Sequence, residues 1–131
     1  MNIRSLFRRR EPRFEPGQRY RYATRPGEEQ SRIIVLRIDP HERLGPIIHL
    51  AIEDVDITPP MATVRMTHIS HVPISLTALQ ASEPKLDGVT KELPDYEEGY
   101  AHWRAAFDAG RAGVFTIPVA EIVAAMEATL R

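Results

Sequence analysis

The sequence predicts an α+β domain in which an antiparallel sheet packs against helices. Apolar residues in the N-terminal half recur with a period of two, which is typical of half-buried strands. In the C-terminal third they recur at the spacing of amphipathic helices. The 131 residues suffice for one domain with its own core. The hydrophobic fraction of 43% and the charged fraction of 27% are close to globular averages.

We predict about four antiparallel strands, joined consecutively as a meander. In the first connection, Pro26 presets φ at the second turn position and Gly27 supplies a positive φ at the third, which indicates a type II turn. We expect the sheet to be strongly twisted, and curling toward a barrel is an open alternative. The predicted strands span residues 18–25, 31–39, 46–55 and 62–69.

About three helices are predicted to cover one face of this sheet. Ser75 can cap the first helix and Asp95 the second, which Gly110 can end with a positive φ. Pro118 suits the first turn of the third helix. Residues 83–93 are polar and rich in helix breakers, so we predict a loop there. The predicted helices span residues 75–82, 95–109 and 118–130.

The chain is predicted to consist of a basic N-terminal tail, residues 1–17, and a single α+β domain, residues 18–131. The formal net charge of −1 hides an uneven distribution. Residues 1–25 hold eight arginines and two glutamates, a local charge of +6, whereas the rest of the chain carries −7. A basic front therefore precedes an acidic body.

The basic front supports two interpretations. Arginine binds phosphate and aromatic rings stack on bases, so a nucleic-acid-binding module is one alternative. The acidic body would repel a polyanion, however, and the arginines can instead complement that body within one chain or across a homodimer. The predicted first strand carries arginines on one face and tyrosines on the other, which also fits tyrosines in the core. The arginines are Arg19, Arg21 and Arg25.

The tip of the first hairpin is our preferred site for contact with a protein partner. Turn geometry accounts for its proline and glycine, but not for Arg25 and Glu29. These two residues carry opposite charges on an exposed turn. They are therefore the binding candidates that the turn itself does not explain.

An aromatic stripe runs along the predicted helix at 95–109. Tyr100 and Trp103 could line a ligand pocket, because aromatic walls with polar tips are typical of such sites. Helical spacing equally indicates packing against the sheet, which is the interpretation we favour. The stripe consists of Tyr96, Tyr100, Trp103 and Phe107.

Metal binding would depend on histidine and carboxylate, because the chain has no cysteine. His49 and His71 are the candidates, since His49 can meet a histidine of the fourth strand region across the sheet. In an extended chain, however, the odd offset sends His68 and His71 to opposite faces. A small metal-dependent hydrolase is therefore the least favoured alternative.

Motifs of nucleophilic or nucleotide-dependent catalysis are missing from the sequence. There is neither a G-x-S-x-G elbow nor a glycine-rich phosphate loop. We therefore expect no cofactor and favour a protein that is not an enzyme. The apolar runs are too short to span a membrane, and no apolar region follows the N-terminal charges, so we expect a cytoplasmic location.

Three segments resemble a family of short bacterial proteins without an established activity. They are GYAHWRAAFDAGRAGVFTIPVAEIV at 99–123, HVPIS at 71–75 and YRYATRPGEE at 20–29, and the resemblance extends over about half of the chain. The resemblance implies a bacterial, cytosolic setting, and no catalytic residue can be inferred from it. The sequence thus favours a non-enzymatic protein-binding or accessory protein with a protein partner or a homodimer.

Overall fold

A computed structural model describes residues 13–58 and 64–129 of the chain. These residues form a five-stranded antiparallel sheet with the strand order β4-β3-β2-β1-β5, together with three helices. The predicted basic tail lies outside the described residues as far as Pro12. The elements are β1 (Gln18–Arg21), β2 (Arg32–Asp39), β3 (Ile47–Ile57), β4 (Met66–Ser75), α1 (Leu76–Ala81), β5 (Lys85–Val89), α2 (Glu97–Asp108) and α3 (Val119–Thr129).

The structure confirms the α+β class and corrects the sheet in two respects. The sheet has five strands rather than about four, and it is open, since β4 and β5 form its two edges instead of closing a barrel. The fifth strand lies inside the segment predicted to be a loop. Leu86 and Val89 are 60% and 71% exposed there, so no buried alternation marks the strand. Backbone pairing with β1 forms it instead.

The fourth strand lies further along the chain than predicted, at β4 rather than at residues 62–69. It continues through Pro73, whose carbonyl accepts a hydrogen bond of 2.9 Å from the Phe115 N–H. The nitrogen of Pro73 faces that same outer side, so the missing N–H removes no bond to β3. A register shift between Ile69 and Val72 also breaks the alternation of buried and exposed residues by which a strand is predicted.

Both faces of the sheet are covered, which corrects the prediction that the helices share one face. Ile33 and Val35 of β2 point into the larger core cluster, which includes buried residues of α1 and α3. Ile34 and Leu36 point the other way, into a smaller cluster against Tyr96 at the start of α2. Successive strand residues alternate between faces, so the unbroken apolar run of β2 requires cover on both sides.

Helix ends follow the local signals with one exception. The Ser75 hydroxyl accepts a hydrogen bond from the Ala78 N–H and so caps α1. Gly110 has a φ of +74° just beyond α2, as predicted. Asp95 does not cap α2, because the helix begins one residue later, with Tyr96 at the capping position and no side-chain capping bond.

Candidate functional site

A cluster of polar side chains lies between α2 and the second face of the sheet. Three strands contribute Asp39, His49 and His71, and their positions depend on pairing between strands. Arg37 is the partner of His49 in the β2–β3 register, and a bulge just before it reverses the alternation of β2. Arg37 and Asp39 consequently project on the same side as His49.

Hydrogen bonds connect these side chains in a chain that ends at His71. Asp39 Oδ2 lies 3.1 Å from His49 Nε2, and His49 Nδ1 lies 2.8 Å from His71 Nε2. A carboxylate only accepts, so His49 Nε2–H donates to Asp39. The bare Nδ1 of a neutral His49 then accepts from His71 Nε2–H. The two rings are stacked, with centroids 5.0 Å apart.

Asp39 is the acceptor at the centre of this network. The Tyr100 hydroxyl donates to Oδ2 at 2.7 Å, and Arg37 Nε donates to Oδ1 at 2.8 Å. Arg104 Nη1 of α2 lies 3.9 Å from Oδ2. Burial by itself raises the pKa of Asp39, but the hydrogen bonds from Tyr100 and Arg37 outweigh it and hold the pKa below its ordinary value.

The two histidines are held uncharged by their surroundings. His49 has no exposed surface, and this burial is the main cause that lowers its pKa to about 4. Repulsion from His71, when that ring is protonated, is the next cause. The attraction of Asp39 opposes the shift but is the smaller effect. Burial also lowers the pKa of His71, which is only partly buried. Near neutral pH the pair therefore forms a neutral hydrogen-bonded relay.

The geometry of the pair differs from that of two metal ligands. Two imidazole nitrogens bound to one tetrahedral zinc ion lie roughly 3.3 Å apart, whereas those of His49 and His71 are 2.8 Å apart and bonded to each other. Within residues 13–58 and 64–129, no group of three or more histidine, aspartate or glutamate side chains is arranged to hold a metal ion.

We predicted that His68 and His71 point to opposite faces because they are three residues apart, and this prediction is wrong. Ile69 and Val72 are also three residues apart, yet both belong to the larger core cluster. The bulge between them adds one residue and so cancels the effect of the odd offset. His68 is exposed, whereas His71 meets His49 across the sheet, as the sequence suggested.

The aromatic stripe of α2 packs on this polar cluster. Trp103 is buried, with its ring centroid 4.9 Å from that of His49, and its Nε1–H donates to the Gly113 carbonyl at 2.9 Å. Tyr100 meets the His49 ring edge-on at 4.9 Å. Both candidates thus face the sheet, and their polar atoms bond to Asp39 and to Gly113.

Arg25 at the first hairpin bonds within the chain. Its Nε and Nη2 donate to the two carboxylate oxygens of Glu28 at 2.7 and 2.9 Å, and its Nη1 donates to Glu127 at 3.2 Å. Glu28 is only 7% exposed and also accepts from the Asp56 N–H. Glu29 remains exposed, and its side chain accepts from the Gly27 N–H.

The arginines of β1 also have acidic neighbours. Arg19 lies 3.5 Å from Glu53, and Arg21 lies 3.6 Å from Asp87. The opposite face of the strand is apolar, since Tyr20 is 2% exposed and belongs to the larger core cluster. The strand therefore has tyrosine in the core and arginine complementing the acidic body, which was the alternative to a nucleic-acid surface.

A groove along β4 is a feature that sequence reasoning missed. It has a volume of about 350 Å³ and is lined by residues 65–70. Beyond it, the outer edge of β4 is covered where Phe115 bridges to Ile74. Among the described residues, none pairs with the outer edge of residues 66–70. This stretch lies at an edge because of the strand order, which cannot be predicted from residues that are neighbours in the sequence.

Comparison with known proteins gives no match to a protein-family model, a curated protein or a solved structure. The resemblance to short bacterial proteins therefore stays a prediction. In the described part of the chain, none of the helices has the length and apolar character needed to cross a membrane.

Proposed function

We propose that the protein is a non-enzymatic binding protein that takes up an extended segment of a partner protein as an additional strand beside β4. The half-covered edge of β4 is the observation that carries this proposal. Recognition of this kind uses main-chain hydrogen bonds for affinity and side-chain pockets for specificity. The open stretch Met66–Ser70 offers both, because it lies at an edge and lines a groove.

The covered half of the same edge already pairs with an extended segment of the chain itself. Phe115 bridges to Ile74 in parallel orientation, and the Ser75 N–H donates to the Phe115 carbonyl at 2.9 Å. The edge is thus competent to pair with added backbone. A partner segment at Met66–Ser70 would extend this pairing along the strand.

The two edges of the sheet differ in how they are protected. β5 carries Lys85 and Asp87, and Asp87 pairs with Arg32 at 2.7 Å. Charges on an edge strand discourage pairing with another chain. Met66–Ser70 contains no lysine, carboxylate or proline, so β4 is the edge suited to binding.

The charge of the groove indicates the occupant. Its lining contains Arg65 and His68 and no carboxylate, which favours a neutral or acidic partner segment. The arginine-rich N-terminus of the chain itself is positively charged and therefore does not complement these basic residues. Arg65 contacts Asp56 at 3.0 Å, but both side chains are more than half exposed, so exchanging this contact for a partner costs little.

The test begins with a displayed library of short random peptides selected on the immobilised protein. The amide NMR signals of Met66–Ser70 should shift on titration with the selected peptide, while those of Lys85–Val89 stay in place. Lysine at exposed Thr67 and Ser70 should weaken binding about tenfold. The matched control places lysine at Leu86 and Val89 on the other edge, and it should bind as the wild type does.

Three results would contradict the proposal. Selection that enriches no peptide would contradict binding, and equal losses in the two lysine variants would contradict the site. The third concerns the occupant. A dimer in sedimentation that dissociates in the Thr67→Lys, Ser70→Lys variant would show that a second copy of the chain, and not a partner segment, covers the edge.

A further inference from the structure

The histidine pair is connected to the groove through the backbone of β4. His71 directly follows Ser70, the last residue of the groove lining. The register shift between Ile69 and Val72 includes both residues, so the pairing of β4 with β3 is already irregular at this point. If His71 moves, Ser70 in the groove lining can move with it, because no regular β3–β4 hydrogen bonds have to break at this point.

The pair has room for only one proton between its two rings. His49 Nδ1 and His71 Nε2 are 2.8 Å apart, and one N–H donates to one bare nitrogen. A first added proton can reside on the other nitrogen of His71 and leave this bond intact. A second one places N–H groups on both facing nitrogens, which replaces the bond by a contact between two cationic donors.

Burial and the charge of a protonated His71 oppose this second proton on His49, against the attraction of Asp39. Tyr100 and Trp103 of α2 contribute neutral contacts to His49. Burial also lowers the pKa of His71. Each arginine near the pair has a carboxylate partner, so the charged groups largely balance. These groups are Arg37 and Asp39 of β2 and Arg104 and Asp108 of α2.

Separation of the two rings would also move α2. A Cβ atom on Gly99 would lie 3.2 Å from the Cβ of His71, so the helix backbone rests directly on this side chain. We infer that the His49–His71 pair makes strand binding at β4 dependent on pH. The edge holds its partner segment while the pair carries at most one proton, and releases it when both rings are protonated.

This inference rests on the proposed function, and its first test uses a selected peptide free of aspartate, glutamate and histidine. Its affinity for the wild type should change little from pH 7.5 to about pH 5 and fall about tenfold by about pH 3, one unit below the pKa of His49. The fall should disappear in His71→Gln, and His49→Gln serves as a second variant if His71→Gln does not fold. The control is His68→Gln, an exposed histidine of the same groove, which should keep the full pH dependence.

The second test needs no peptide. Amide hydrogen exchange of the isolated protein, corrected for intrinsic rates, should accelerate at Ser70, His71 and the first turn of α2 below about pH 4, where His49 gains its proton, and β2 serves as the internal reference. Unchanged exchange would overturn the inference. A pH dependence that vanishes in His68→Gln rather than in His71→Gln would also overturn it, while leaving strand binding intact. Absence of peptide binding at every pH would overturn the proposed function itself.

Discussion

At the scale of single residues, the imidazole of His49 has no exposed surface and lies between a carboxylate and a second imidazole. Asp39 determines which nitrogen carries the proton, and His71 uses the other nitrogen. Every buried polar side-chain atom in the described residues has a hydrogen-bond partner. Such a network specifies one arrangement of the rings, because any other leaves a buried group unpaired.

The depressed pKa of His49 predicts acid sensitivity. Its pKa is about 4 in the folded protein against an ordinary value of 6.5, so the unfolded chain binds more protons between these values. Stability is therefore full above about pH 6.5 and decreases as the pH falls toward about 4, by roughly 3 kcal/mol in total. Urea unfolding at half-unit pH steps measures this loss.

Two variants separate this effect from general acid denaturation. His49→Gln should have a flatter stability profile in this pH window, because its amide cannot be protonated. His68→Gln, which changes an exposed histidine, should keep the wild-type slope. Parallel profiles for the wild type and His49→Gln would show that another group causes the acid sensitivity.

At the scale of elements, the first hairpin is joined to the rest of the fold by Glu28. This carboxylate binds Arg25 through both oxygens and accepts the Asp56 N–H at the end of β3. Arg25 in turn reaches Glu127 of α3. The hydrogen bond from Arg25 is the main cause that lowers the pKa of Glu28, against the opposing effect of burial. A turn with a local signature thus depends on contacts that are distant in sequence.

Loss of the contact between Arg25 and Glu28 should lower the stability of the protein. Arg25→Met leaves a buried carboxylate without its cation, and we expect a loss of about 3 kcal/mol in the free energy of unfolding. Arg65→Met breaks an exposed pair with Asp56 and should cost less than about 1 kcal/mol. Urea unfolding of both variants tests this. Equal small losses would mean that Arg25 is free to serve a partner, as the sequence first suggested.

At the scale of the whole molecule, the two faces of the sheet are unequal. Among the described residues, one face holds a cluster of seventeen buried residues with α1 and α3, whereas the other holds a cluster of three, the buried ring of Trp103 and the polar network beneath α2. Apolar burial is the main stabilising term in folding. The α2 layer is therefore the weaker part of the molecule.

Native-state hydrogen exchange should reveal this difference. Amides of α2 should open at a lower free energy than those of α3 and β3, because less apolar surface is exposed when α2 separates. Trp103→Ala should lower the protection of α2 further while changing that of α3 little. Equal protection of α2 and β3 would show that the two layers unfold as one unit.

The elements that follow from neighbouring residues were predictable. Gly27 has a φ of +88°, and the Glu28 N–H bonds to the Arg25 carbonyl, as the type II turn requires. Ser75 caps α1, and the second and third helices begin and end within two residues of their predicted positions. Prediction failed for the strand that lacks a local pattern. The strand β5 exists only through its bonds to β1.

The sequence by itself therefore determined the fold class, the first turn, the helices and the tyrosine core face of β1, because each depends on residues that are close along the chain. Only the tertiary structure decided which strand forms an open edge, which face α2 covers and how Asp39, His49 and His71 meet. Those features depend on strand register, and single bulges in β2 and β4 shift it. A bulge reverses which side chains share a face, and no periodicity along one strand reveals the register of its neighbour.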